Sequence, residues 1–264
     1  MLLLWYVLLN FLHPNSSLAG VTPSLPFDPS QYADLNALIG SEISSAVIKA
    51  VGFTFDHKPY EPATPLGTKI GLDLGLELSL IQLPSDLGPA LEKAGPLAGS
   101  VTLPPFIPLP RFHLHKGLGP FVDLGLSAIW FQGMRLYGGD IKTVLYNPEE
   151  GGITSAMRFC YSLSNIGFAS SKTISTQLLF SRAVGFGDPY FGVGYQVAVG
   201  SIEFPLDLGN GISTTLKGSD RATAYTAFMG LQLKAAVLGL QITLEGSYSS
   251  VGMDTLGTKI GLAF

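Results

Sequence analysis

The chain has 264 residues, a formal net charge of −4 and only 13% charged residues, about half the roughly 25% usual in soluble domains. The absence of a basic block or of aromatic–basic interleaving argues against nucleic acid as a partner. A single cysteine, Cys160, excludes an internal disulfide and a cysteine-rich metal site. Mean hydropathy is +0.37, yet beyond residue 20 no apolar run reaches the ~18 residues that a membrane-spanning helix requires. Such a chain is either a soluble β-protein or a closed barrel, the other structure that satisfies its backbone in lipid. The 32 glycines, well above the usual ~7%, favour the barrel.

The first residues, Leu2 to Leu9, form an apolar run broken at Asn10, His13 and Pro14, too soon to span. Ser17-Leu18-Ala19 offers the small residues that signal peptidase reads, so residues 1–19 are expected to be a signal peptide, although a positive n-region is missing. Residues 20–56 form an N-terminal helical segment and 57–264 the barrel. Within that segment Asp28-Pro29 reads as an N-cap with proline at the first helical position. Tyr32, Leu35, Leu38, Ile39 and Ile43 then recur at helical spacing, predicting a helix over 29–48 at the periplasmic rim or inside the lumen.

From Gly71 to Leu80 the sequence alternates strictly: Leu72, Leu74, Leu76, Leu78 and Leu80 share one face, Asp73, Gly75, Glu77 and Ser79 the other. The same period returns along the chain and predicts ten strands: 67–80, 108–116, 120–131, 135–146, 152–163, 171–183, 189–203, 221–234, 238–249 and 255–264. Each is about ten residues, the length of a tilted strand crossing a bilayer. The range is eight to twelve, the upper figure if Ala46–Phe55 also pairs. Short connections at Lys116–Pro120, Asn147–Gly152, Gly185–Pro189 and Val237–Leu238 are assigned to the periplasm. Long ones at 81–107 (with a helix signal from Ser85 to Ala94 and an apolar, proline-rich run to Pro108) and 204–220 are assigned to the exterior.

The fold class is therefore all-β, an antiparallel transmembrane barrel with an N-terminal helix. Leu72, Leu74, Leu76, Val193, Val197, Leu231, Ile242 and Leu244 are expected to face lipid. The opposite face, rich in glycine, holds isolated charges of both signs: Lys69, Asp73, Glu77, Arg111, Asp123, Asp140, Lys142, Arg158, Lys234, Glu245 and Lys259. A sandwich facing bulk water would carry a denser coat of lysine and glutamate. A narrow lumen, where small residues make room for paired charges, fits better. Near-balance of the two signs argues against ion selection by a ring of like charge and for a closed or nearly closed subunit.

The chain ends on Thr258-Lys259-Ile260-Gly261-Leu262-Ala263-Phe264, similar to the C-terminal β-signal read by the bacterial barrel-assembly machinery. Leu66–Leu72 echoes Leu256–Leu262 residue for residue. If the two copies mark the first and last strands, they should pair at the closure seam.

Pro62-Ala63-Thr64-Pro65-Leu66-Gly67, Leu109-Pro110-Arg111, Lys116 to Gly125, Gly138-Gly139-Asp140 and Pro189 to Gly194 together resemble a largely uncharacterised family of proteobacterial outer-membrane barrels. That family is similar to the porin-like barrels of predatory bacteria, some of them oligomers that trap lipid. The resemblance covers about residues 50–200 and implies a barrel of a Gram-negative outer membrane, with membrane lipids, the assembly machinery and further copies of itself as partners. It carries over no active-site residue.

His113 and His115, two of four histidines, lie on one strand face near many serines, but alternate spacing alone is a weak metal or base signal. No G-x-S-x-G, phosphate loop or paired-carboxylate signature accompanies them, so they are read as lumen or rim polar groups. No catalytic residue, metal or cofactor is expected. Asp73 and Glu77 should meet Lys69, Lys259 or Arg111. The expected function is a porin-like, structural or passive-diffusion role. The alternatives are a soluble periplasmic β-protein that binds lipid or lipoprotein, and a lipid-modifying outer-membrane enzyme. Deleting Phe264 is expected to slow membrane insertion and leave periplasmic aggregate, which fractionation of expressing cells measures; insertion at the full-length rate would mean that this residue is merely terminal.

Overall fold

A computed structural model describes residues 42–67, 70–93, 104–131, 134–148, 151–185, 187–207, 213–235 and 239–264. The strands are β1 (Leu72–Gln82), β2 (Phe106–Gly117), β3 (Val122–Phe131), β4 (Met134–Tyr146) and β5 (Thr154–Asn165), followed by β6 (Ala169–Ser181), β7 (Gly187–Asp207), β8 (Ser213–Lys234), β9 (Leu240–Ser249) and β10 (Thr255–Ala263). Each pairs antiparallel with its sequence neighbours, and β1 pairs with β10 to close the barrel. Closure leaves no edge, so every strand finds ladder partners on both sides.

The seam is tied at its end by the terminal residue. Phe264 N–H donates to the Leu72 carbonyl at 2.8 Å, and Leu72 N–H donates to the Phe264 carbonyl at 3.2 Å. The sequence echo does not pair with itself. Leu256–Leu262 lies in β10 and faces Leu74–Leu80 of β1, whereas the first copy lies almost wholly before β1, and Leu66 is hydrogen-bonded to Asp123 instead.

Alternation decides what faces where. On β1, Leu74 and Leu76 are half exposed while Asp73 and Glu77 are buried, and Leu244 and Glu245 repeat the contrast on β9. Leu72, Val193, Val197, Leu231 and Ile242 share the outward face of their strands. Phe106, Tyr137 and Tyr248 stand exposed toward one end of the barrel; Phe121, Tyr146 and Phe264 stand exposed toward the other. An apolar exterior of this extent has no stable contact with water. Together with two aromatic belts and a polar interior, it makes the chain a transmembrane β-barrel.

Two expectations need correction. Residues 204–207 and 213–220, read as part of a long loop, continue β7 and β8, which pair from Gly187↔Leu233 to Asp207↔Ser213. At 21 and 22 residues these strands exceed the ~9–11 needed to cross a bilayer, so the hairpin projects beyond it. Ala46–Phe55 does not pair as a further strand; Ser44–Thr54 is a helix, α1. The predicted helix over 29–48 lies mostly outside the described residues, and α1 runs past its predicted end.

The position of α1 explains its sequence. Val47, Ile48, Val51 and Phe53 are apolar around most of the helix and all buried, which marks a helix enclosed on every side. It packs inside the barrel against small or branched residues of the wall, Ala169, Ala198, Ile202, Ala222 and Ala224. A β-carbon on Gly52 would stand 2.4 Å from that of Ala198, so the helix backbone lies directly on the sheet. A short helix α2 (Leu87–Lys93) in the β1–β2 connection covers α1, with Leu87 and Ala90 in the same cluster and Asp86 bonded to Lys49 at 2.8 Å.

The outward face yields a direct test. Leu244→Arg should cost about 2–4 kcal/mol of folding free energy in a bilayer if the residue lies near the midplane; urea titration in lipid vesicles measures it, and a neutral result would mean that Leu244 lies outside the hydrocarbon.

Candidate functional site: the plugged lumen

Beyond α1 the chain runs from Phe55 to Leu66 without regular structure, through the lumen toward the short-turn end of the barrel. An irregular segment has no ladder for its own N–H and C=O groups, so the wall must supply partners. Inward-facing cations do so for the carbonyls. Arg111 donates to the Phe55 carbonyl at 3.5 Å, Lys259 to Pro59 at 3.4 Å and Arg158 to Glu61 at 3.2 Å. Lys142 donates to Pro62 and Thr64 at 3.1 and 2.9 Å. Thr173 donates to the Gly52 carbonyl at 2.9 Å, and His57 N–H donates to Ser162 at 2.8 Å.

Side chains of the plug complete the charge pattern. Asp56 accepts from Gln196 at 2.6 Å and from Ser162 at 3.0 Å. Glu61 lies within 2.9 Å of His115, 3.3 Å of Lys259 and 3.6 Å of Lys142. Burial alone would raise the Glu61 carboxyl, but these three cationic partners outweigh it and hold the group well below the usual glutamate range. A carboxyl depressed on folding stabilises the native state above its unfolded pKa, and loses that contribution as pH falls through the folded one. Tyr60 has φ +52, a conformation that costs a non-glycine residue ~1–3 kcal/mol. Its hydroxyl is held at 2.7 Å by Ser79, and its ring occupies the space that a side chain at Gly257 would need, with a ring carbon 2.4 Å from where that β-carbon would stand.

The wall charges pair around this core. Asp73 accepts from Lys259 at 2.7 Å, Asp123 from Lys142 at 2.9 Å and Glu245 from Tyr190 at 2.7 Å. Glu77 lies 2.5 Å from His113 and 3.9 Å from Arg111, and it also accepts from Ser79. Asp140 contacts His57 at 2.7 Å, His115 at 3.4 Å and Arg158 at 3.6 Å. Lys234 meets Asp188 at 2.6 Å at the rim and stays largely exposed. Lys69 lies outside the described residues. Gly125 is required here: a β-carbon on it would fall 2.0 Å from the Asp140 carboxylate and 2.3 Å from the His115 ring.

Sequence reasoning grouped the wall charges but missed the plug. His57 joins His113 and His115 with ring centroids 5.5 and 6.2 Å away. The available signal was Asp56-His57-Lys58-Pro59-Tyr60-Glu61-Pro62: five titratable residues in seven, in a chain otherwise poor in charge. Pro62–Gly67, which carries part of the family resemblance, forms the plug's exit and not the lead of a strand.

Ser127, His57 and Asp140 form a hydroxyl–imidazole–carboxylate chain, with 2.6 Å from Ser127 Oγ to His57 Nδ1 and 2.7 Å from His57 Nε2 to Asp140. A nucleophile also needs room for its substrate, and Ser127 is buried within a filled interior. A lumenal cavity bordered by Lys58, Arg158, Gln196, Phe228 and Glu245 measures about 30 Å³, space for one or two waters. On the lipid side, a groove of about 830 Å³ runs over Leu74, Leu76, Phe112, Leu126, Ile260 and Leu262.

No protein-family model matches the chain, and comparison with curated proteins finds no match. Among solved structures, the chain is similar to Neisserial surface protein A, with 9% identity and a TM-score of 0.31 over 73% of this chain and 97% of that one. It is also similar to the KdgM porin, solved in complex with disordered oligogalacturonate (9%, 0.36, 73% and 99%). A third is the translocator domain of the autotransporter NalP from Neisseria meningitidis (11%, 0.30, 89% and 97%). The barrel assignment rests on the strand pairing itself.

Glu61→Gln removes the anion that three buried cations share, and breaking such a pair costs about 3–5 kcal/mol. The urea midpoint of the refolded barrel should fall accordingly; a loss below ~1 kcal/mol would mean that Glu61 does not hold the plug.

Proposed function

We propose that the chain is a porin-like barrel of a Gram-negative outer membrane whose individual subunit is closed by its own N-terminal segment, and whose role is structural. One observation carries this reading: residues 44–66 fill the lumen and are bonded to the wall along their length. Barrels of about eight strands are filled by wall side chains, and those of sixteen to eighteen leave an aqueous channel. Ten strands enclose a space between these cases, and here a stretch of chain takes it up. Solute passage through one subunit would require the plug to move.

The apolar exterior supports contact with membrane lipid, and the groove over β1, β2 and β10 is of a size to take an acyl chain. Kinship with the porin-like barrels of predatory bacteria, and lipid held between copies, are read from the hairpin motifs alone. A lipid-modifying enzyme is the runner-up, favoured by the Ser127–His57–Asp140 chain. Against it, the serine hydroxyl lies on the inner face of β3 and the apolar groove on the outer face, so nucleophile and acyl chain are separated by the sheet.

Planar-bilayer recording of a demonstrated monomer tests the closed reading. The expected result is little or no conductance, with larger currents when Asp56→Ala and Glu61→Gln together loosen the plug. Porin-sized conductance from the unaltered monomer would overturn it.

A further inference from the structure

Among the described residues, acidic groups outnumber basic ones in the interior. Eight carboxylates are buried there: Asp56, Glu61, Asp73, Glu77, Asp123, Asp140, Asp188 and Glu245. Six basic groups among the described residues face them: Arg111, Lys142, Arg158 and Lys259, fully buried, with the half-buried Lys58 and the rim residue Lys234.

At the centre of this excess stand three histidines. His113 and His115 project inward from alternate positions of β2, and His57 meets them from the plug. Each offers one ring nitrogen, and these nitrogens lie within 4.8 Å of one another. Nitrogen ligands on a tetrahedral zinc at ~2.0–2.1 Å stand roughly 3.4 Å apart, so ring rotations and a small shift of the plug bring them into range. Each ring also has a different carboxylate close to one nitrogen: Asp140 at His57 Nε2, Glu77 at His113 Nε2 and Glu61 at His115 Nδ1. A carboxylate on one ring nitrogen fixes the tautomer and leaves the other for a ligand, the usual support of a histidine metal ligand. Here His57 Nδ1 also meets Ser127 at 2.6 Å and His115 Nε2 lies 3.4 Å from Asp140, contacts that a bound cation would displace. His113 Nδ1 is buried and has no hydrogen-bond partner, a donor atom left over by every protein contact. The neighbouring trio of Glu61, Asp73 and His115 is a poorer candidate, because the Lys259 ammonium already bridges its two carboxylates.

We infer that His57, His113 and His115 form a lumenal binding site for a zinc-type divalent cation, which staples the plug to strand β2. Two ligands come from the wall and one from the plug, so occupancy couples plug position to metal. Glu77, Asp140 and Glu61 act as positioning residues.

The test uses the full chain, refolded in detergent, stripped with chelator and checked for folding by its heat-modifiable gel mobility. Titrated with Zn2+, it should bind about one equivalent and unfold at a higher temperature when loaded. His57→Gln and His113→Gln should each weaken binding at least tenfold. Should either lumenal variant fail to fold, Cu2+ loaded into the unaltered barrel supplies the second measurement. Electron paramagnetic resonance should then show superhyperfine coupling to several imidazole nitrogens. No saturable zinc binding by the folded barrel, equal binding by the variants, or copper coupled only to oxygen ligands would overturn the site. None of these readouts depends on conductance, so failure of the metal site and failure of the closed-barrel reading are separable.

Discussion

An irregular peptide segment enclosed away from bulk water must find a partner for every carbonyl, and in this barrel the partners are the cations of the wall. Arg111, Lys259, Arg158 and Lys142 each donate to a backbone carbonyl of residues 55–64. All four also approach a wall carboxylate: Lys259 meets Asp73, Lys142 meets Asp123, Arg158 meets Asp140 and Arg111 meets Glu77. Each such cation is thus shared between sheet and plug, and neither surface is satisfied without the other. Removing the plug would strand buried charges, which costs more than the loss of a few contacts suggests. The lumen and the segment that fills it are one polar core.

That core is divided by length along the barrel. Toward the long-loop end the filling is apolar: α1 lies against alanines and isoleucines and is covered by α2. Toward the other end it is ionic. The division follows from what a helix can do. Along most of α1 the backbone bonds to itself, so the facing strand positions can be alanine. In its last turn carbonyls become free: Thr173 meets that of Gly52, and from Phe55 onward the wall residues that meet them are Arg and Lys. The exposed Lys49–Asp86 pair adds little beside this, since surface ion pairs contribute about 0–1 kcal/mol.

Much of the wall was legible in sequence because a barrel strand has a period of two and one apolar side. Leu72 to Leu80 and Leu240 to Leu244 announce both the strand and its orientation, and each of the ten strands overlaps a range that alternation predicts. The ends were less legible. Alternation weakens outside the hydrocarbon, so the projecting part of β7 and β8 looks like loop. The plug was illegible for a different reason. His57 and Glu61 have no periodicity to reveal them, and their partners His115, Lys142 and Lys259 are separated from them by 50 to 200 residues of chain. Only closure of the barrel brings these together. Alternate spacing showed that His113 and His115 share a face, but nothing local indicated that a third histidine would arrive from outside the sheet.

Glycine links the two levels of reading. In composition its abundance signals a barrel, and in the structure particular glycines define the site. Gly125 leaves the volume in which Asp140 and His115 meet, and Gly257 leaves the volume of the Tyr60 ring. A methyl group at either position would displace a group held by the plug network and not merely crowd the wall. Ten strands alone would make a lumen too wide for wall side chains to close. Omitting side chains at these positions leaves room for the groups of the segment where residues 57–61 pass. The pattern of small residues on the inward face is therefore a negative image of the plug.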